Sequence, residues 1–159
     1  MKPTVYIETT VVSYLTAWPS RDLIRAAQQQ QTREWWDLRR SAFELFCSEL
    51  VEQEASAGDP AAAADRLKVV GEMQVLSITP DAAGLAAGLI AKVRLPPRAQ
   101  PDALHVAIAA TNGLAYLLTW NCRHLTNAVL RPQIESVCRQ SGFEPPVICT
   151  PPELMETTP

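Results

Sequence analysis

A chain of 159 residues has the size of one ordinary domain, long enough to bury about 68–70% of its unfolded surface around one core. Its hydrophobic share of 47% is ordinary for a globular protein, and no apolar run approaches the roughly 20 residues that a membrane span needs. The net charge of −3 excludes a uniformly basic nucleic-acid footprint but not a local basic patch.

The N-terminal stretch MKPTVYIETT meets Glu8 before an apolar signal-peptide core has formed, which predicts a cytoplasmic protein with no membrane contact. Val5-Tyr6-Ile7 reads as a strand, and the hydroxyls of Thr9 and Thr10 suit the N-cap of a helix that follows. Residues 20–41 predict two helices or one long broken one, with Ser20 as cap, Asp22 in the first turn and Gln28 to Gln31 on a solvated face. Residues 42–47 predict a second strand, after which Ser48 caps a helix carrying Glu49, Glu52 and Glu54. Gly58-Asp59-Pro60 breaks the chain and opens an alanine-rich helix over 60–70.

A third strand over 75–78 leads into Thr79-Pro80, a cap followed by Pro at the first helical position, and a helix to about Val93. After the Pro-rich loop 95–100, Pro101 opens a helix that runs to Asn112 and stops at Gly113. Residues 115–120 predict the fourth strand, 130–140 an amphipathic segment and 147–149 the last strand. No repeat or linker divides the chain, so residues 1–159 read as a single domain. Cys47, Cys122, Cys138 and Cys149 form no C-x-x-C pair and read as reduced thiols, mostly buried. Cys122 and His124 are close in sequence, but Cys/His nucleophile pairs come from distant segments, and inert cysteines are favoured.

Strands alternating with helices imply βαβ units, a mainly parallel sheet of four to five strands, helices on both faces and right-handed crossovers. Ligands of such sheets bind beyond the carboxyl ends of the strands, at a topological switch point. Glu8 follows the first strand, Asn121 follows the fourth, and Asp102 lies in the first turn of the helix feeding that strand, so all three fall on one edge. The helix dipole favours ionised Asp102 by roughly 0.3–1 kcal/mol. Glu54 lies six residues past Ser48, about 9 Å along its helix. It reaches the edge only if that helix starts later, and Glu49 and Glu52 compete with it. Carboxylates crowded on one edge repel one another unless a cation neutralises them, and oxygen ligation suits Mg²⁺ or Mn²⁺. Taken singly, Asp102 is also a good helix-dipole partner, Glu8 and Glu54 ordinary surface charges and Asn121 a turn residue. His105, one turn beyond Asp102, reads as a satisfied, partly buried histidine rather than a base, and Trp120 as packing rather than a base-stacking platform.

The segments VYIETTVVSYL at 5–15, SELVEQE at 48–54 and PDALHVAIAATNGLAYLLTWN at 101–121 resemble the PIN-domain family of metal-dependent ribonucleases, especially the VapC-like toxins of type II toxin-antitoxin pairs. The resemblance covers nearly the whole chain, and the third segment is its specific part. It implies a PIN-like three-layer α/β/α sandwich and a metal site at Glu8, Glu54, Asp102 and Asn121. Glu54 is taken over Glu52 on this resemblance. Glu8 stands where the family usually has Asp, and Asn121 where a fourth carboxylate often sits, which implies one firmly held ion and a weak second one. The expected activity is hydrolysis of RNA phosphodiester bonds by a water that Mg²⁺ or Mn²⁺ makes more acidic. Thr10 and Thr119 position ligands or cap and pack, and Arg21, Arg25, Arg94 and Arg98 flank the site or serve as surface. The expected partners are RNA, a cognate antitoxin and a second copy of the chain. The alternative is a PIN-like module whose altered site binds RNA or protein without cutting.

Overall fold

The structure, a computed structural model, describes residues 1–156. In chain order it contains β1 (Thr4–Ile7), α1 (Thr9–Thr16), α2 (Leu23–Arg39), β2 (Glu44–Ser48), α3 (Glu49–Ala55), α4 (Pro60–Val70) and β3 (Gln74–Leu76). There follow α5 (Pro80–Val93), α6 (Gln100–Thr111), β4 (Tyr116–Leu118), α7 (Arg131–Gln140) and β5 (Val147–Cys149). The five strands form one sheet in the order β3-β2-β1-β4-β5, and every pair is parallel. No described helix is long and apolar enough to cross a membrane.

β1 is the central strand, and Val5, Tyr6 and Ile7 are all fully buried, as expected of a strand covered on both faces. Helices α1 to α4 pack among themselves, and α5 packs on α6 and α7. Right-handed crossovers put the first group on one face and the second on the other, giving three layers. The chain leaves β1 toward β2 but leaves β4 toward β5, so the order reverses between β1 and β4. Their register, Ile7 beside Leu118, places the next residues, Glu8 and Thr119, side by side at this switch point. Helix α6 is buried almost all round, through Ala103, His105, Val106, Ala107, Ile108, Ala109 and Ala110, so even its histidine belongs to the core.

Several local expectations change. Helix α2 is unbroken over 17 residues, because four consecutive glutamines are good helix formers. Its cap is Asp22, which accepts from Arg25 N at 2.8 Å, while Ser20 accepts from Asp22 N at 3.1 Å. Gln29 does not face solvent; it is buried, accepting from Ser20 N and donating to the Trp18 carbonyl. The cap of α1 is Glu8 rather than a threonine. Ser48 and Thr79 cap α3 and α5 as expected, Asp59 caps α4, and Gly113 ends α6 at φ 66°.

Candidate metal centre

Glu8 is only 4% exposed, a large desolvation for a carboxylate. Three donors compensate it. Thr10 N reaches Oε2 at 2.8 Å, the Thr10 hydroxyl reaches Oε1 at 2.7 Å, and the Thr119 hydroxyl also donates to Oε1. Glu8 N in turn donates to the Leu118 carbonyl at 3.0 Å. The side chain is thus fixed by the end of β4 and by the first turn of α1, where the helix dipole favours its charge.

Glu54 sits in the last turn of α3, and α3 starts directly at Glu49, not later as a simple rise along the helix required. It reaches the edge because α3 packs against α1: its Oε1 accepts the Thr9 hydroxyl at 2.6 Å and faces His105 Nε2 at 2.6 Å. Burial alone would raise this carboxyl, but the hydrogen bonds from His105 and from the Thr9 hydroxyl outweigh it and hold the group below its ordinary 4.5. Glu49 is engaged elsewhere, accepting from Ile78 N at 3.2 Å, and Glu52 is exposed. Ligand atoms of Glu8, Glu54 and His105 all lie within 4.8 Å of one another.

His105 is 1% exposed and hydrogen-bonded at both ring nitrogens. Its Nδ1 lies 2.7 Å from the Tyr6 hydroxyl, which lies 2.7 Å from the Ser48 hydroxyl. Burial, only partly opposed by the Ser48 hydrogen bond and reinforced by the Glu8 charge, pushes the Tyr6 phenol well above 10.0. Tyr6 therefore keeps its proton.

Asp102 stands outside the group formed by Glu8, Glu54 and His105. It occupies the first turn of α6, and its Oδ2 lies 2.9 Å from His124 Nδ1. Asn121 holds the turn that carries His124: its Oδ1 accepts from His124 N at 3.0 Å, and its own N donates to the Thr119 hydroxyl at 2.9 Å. The structure therefore brings Glu8 and Glu54 together and pairs Asp102 with His124. Thr10 and Thr119 both act on Glu8. Trp120 is a packing residue, stacked on Tyr14 at 6.0 Å and donating from Nε1 to the Thr32 hydroxyl. Arg21, Arg25, Arg94 and Arg98 are exposed. Cys47, Cys138 and Cys149 are buried thiols pushed up by burial to about 12, about 11 and about 12, and Cys122 is exposed.

The site partners His124, Thr9, Tyr6 and Ser48 emerge only in the structure. Thr9 carried a signal, since it adjoins Glu8. His124 lies three positions past Asn121, but nothing local to it indicates its partner Asp102.

A five-stranded parallel sheet in this order, with helices on both faces, is a PIN-like α/β/α sandwich. No family model matches the sequence, and no curated protein does. Among solved structures, the chain is similar to VapBC2 of Rickettsia felis bound to a promoter DNA fragment, with TM-score 0.59 and 9% identity over 92% of this chain and 98% of that one. It is also similar to DNA-bound VapBC of Salmonella typhimurium, with TM-score 0.55 and 15% identity over 94% and 98% of the two chains. VapC20 of Mycobacterium tuberculosis, a toxin that cleaves the sarcin–ricin loop, matches with TM-score 0.55 and 16% identity over 72% and 87%. At these identities the likeness is one of fold.

Proposed function

We propose that this chain is one PIN-like domain acting as a divalent-metal-dependent ribonuclease, a toxin that an antitoxin covers and that pairs with a second copy of itself. The observation that carries the reading is the approach of Glu8 and Glu54 at the switch point, with ligand atoms inside 4.8 Å. Two carboxylates this close repel each other unless one binds a proton or both share a cation. Glu54 is held toward its ionised form. Glu8 is clamped by three donors of the kind that stabilise an anion. Oxygen donors of this type fit Mg²⁺ or Mn²⁺.

Glu8 and Glu54 would hold the ion. Asp102 supplies a third carboxylate from the first turn of α6, where the dipole favours its charge. The Asn121 amide oxygen, already accepting one N–H, keeps a second lone pair for a water. The ion, when bound, makes a water more acidic and offsets charge at phosphorus. The protein's own share is placement: Thr10 and Thr119 fix Glu8, Thr9 fixes Glu54, and exposed arginines offer phosphate contacts.

The test is cleavage of a mixed RNA panel with Mn²⁺ by wild type, Glu8→Gln and Asp102→Asn. Glu8→Gln preserves shape, because the threonine hydroxyls can rotate to accept from the new amide. Metal-dependent cleavage that both changes reduce by about 10²-fold or more supports the reading. Equal cleavage by all three overturns it, and RNA binding by wild type without cleavage transfers the chain to the binding-module alternative.

A further inference from the structure

We infer that Ser48, Tyr6 and His105 form a one-way hydrogen-bond relay that positions Glu54, so that Glu54 meets the ion through Oε2 and His105 is not itself a ligand. The inference rests on the metal-site reading above and deepens it.

The protons can be assigned one after another. Val51 N can only donate, and it donates to Ser48 Oγ at 3.3 Å. At the other end, a carboxylate oxygen of Glu54 stands 2.6 Å from His105 Nε2. An ionised carboxylate has no proton to give, so Nε2 carries one. In the neutral imidazole Nδ1 is then bare and must accept, and the group 2.7 Å away is the Tyr6 hydroxyl. Tyr6 spends its single proton there, so its oxygen accepts from Ser48 Oγ, 2.7 Å away on the other side. One assignment satisfies all four groups: Val51 N–H to Ser48, Ser48 O–H to Tyr6, Tyr6 O–H to His105 Nδ1, and His105 Nε2–H to Glu54. Reversing it would aim the Nε2 lone pair at a carboxylate.

The relay sets which oxygen of Glu54 is free. Both the Thr9 hydroxyl and His105 act on Oε1, and among the described residues no donor reaches Oε2. The side chain is 33% exposed, and Oε2 is the oxygen that these two donors leave for the ion. A proton on Nε2 also removes the lone pair that His105 would need to bind metal. The relay joins Tyr6 of β1, Ser48 at the start of α3 and His105 of α6, while Glu8 directly follows β1 and Glu54 lies in the last turn of α3. Tyr6 lies in β1, two residues before Glu8, which ties the relay to both ligands.

Two measurements test this. Long-range ¹H–¹⁵N NMR of the full chain labelled at its two histidines, assigned with His124→Gln, reads the His105 tautomer at about pH 8, first metal-free and then with Mg²⁺. The expected signature is a neutral ring protonated at Nε2 in both states. Protonation at Nδ1, an imidazolium, or loss of the Nε2 proton on adding Mg²⁺ overturns the relay, the last by making His105 a ligand. Titration calorimetry with Mn²⁺ then compares variants. Tyr6→Phe removes one hydroxyl and should weaken Mn²⁺ binding about 10–100-fold, the usual effect of losing an outer partner. His105→Leu should weaken it similarly, while His105→Gln, whose amide N–H reaches from nearly the same place as Nε2, should restore binding close to wild type. Unchanged affinity in Tyr6→Phe overturns the relay. If wild type itself binds no Mn²⁺, the metal reading fails, while the tautomer still decides whether the relay exists.

Discussion

Glu54 gives the site a definite acid limit. Its carboxyl lies below 4.5 in the folded protein because His105 and Thr9 outweigh burial, whereas in the unfolded chain those partners are gone. A carboxyl with a depressed folded value adds stability that is complete above the unfolded value and is lost as pH falls through the folded one. Urea midpoints of wild type should therefore drop more than those of Glu54→Gln between about pH 7 and about pH 3. Parallel drops in the two proteins would mean that the His105 contact does not favour the ionised carboxyl. At this scale the sequence was informative about residues whose place follows from the backbone. Glu8 was legible because it directly follows a strand, and Asp102 because it follows a Pro at a helix start. His105 was legible only as a satisfied, partly buried histidine; it is satisfied but fully buried, and its partners Tyr6 and Glu54 lie 99 and 51 positions away, beyond any local spacing. Asn121 was read as a ligand from the resemblance, yet its side chain also serves the turn at His124, the ordinary role of an asparagine there.

The cap of α2 separates two readings of one segment. Asp22 accepts from Arg25 N and so satisfies an orphan donor at the helix start, while Ser20 accepts only from Asp22 N before the helix begins. Asp22→Ala should cost about 0.5–2 kcal/mol, the usual loss for a capping residue, and Ser20→Ala distinctly less. Thermal and urea unfolding of the two variants checks this, and equal losses would move the cap back to Ser20. Where capping chemistry and proline coincide, as at Asp59-Pro60 and Thr79-Pro80, the helix start was readable to the residue. Where two capping residues stand close together, as at Ser20 and Asp22, spacing could not choose between them. The third-strand expectation, 75–78, shifted to Gln74–Leu76 for a related reason: an exposed edge strand carries little alternation to fix its ends. The position of Glu54 failed a simple helical estimate because the rise along α3 says nothing of how α3 lies across α1.

For the molecule as a whole, strand order was not readable from the sequence, but its consequence was, because right-handed crossovers leave few places where an open parallel sheet can reverse. That reversal puts Glu8 and Thr119 side by side, while packing of α3 on α1 delivers Glu54. The two carboxylates are neighbours only when the whole sheet and both helices are formed, since they lie far apart along an unfolded chain. A cation that bridges them binds the native state and not the unfolded one, so it must stabilise the fold by mass action, by about 2.7 kcal/mol at a concentration 100 times its Kd. For a chain of this length each kcal/mol moves the melting temperature about 2–4 °C, so saturating Mn²⁺ should raise wild-type Tm by roughly 5–10 °C, reversibly on adding a chelator. Glu8→Gln keeps the shape of the site but removes one of its two closest charges, and its Tm should barely respond. Equal rises in wild type and Glu8→Gln would place the ion elsewhere on the acidic surface, and no rise in wild type would remove the metal from this edge altogether.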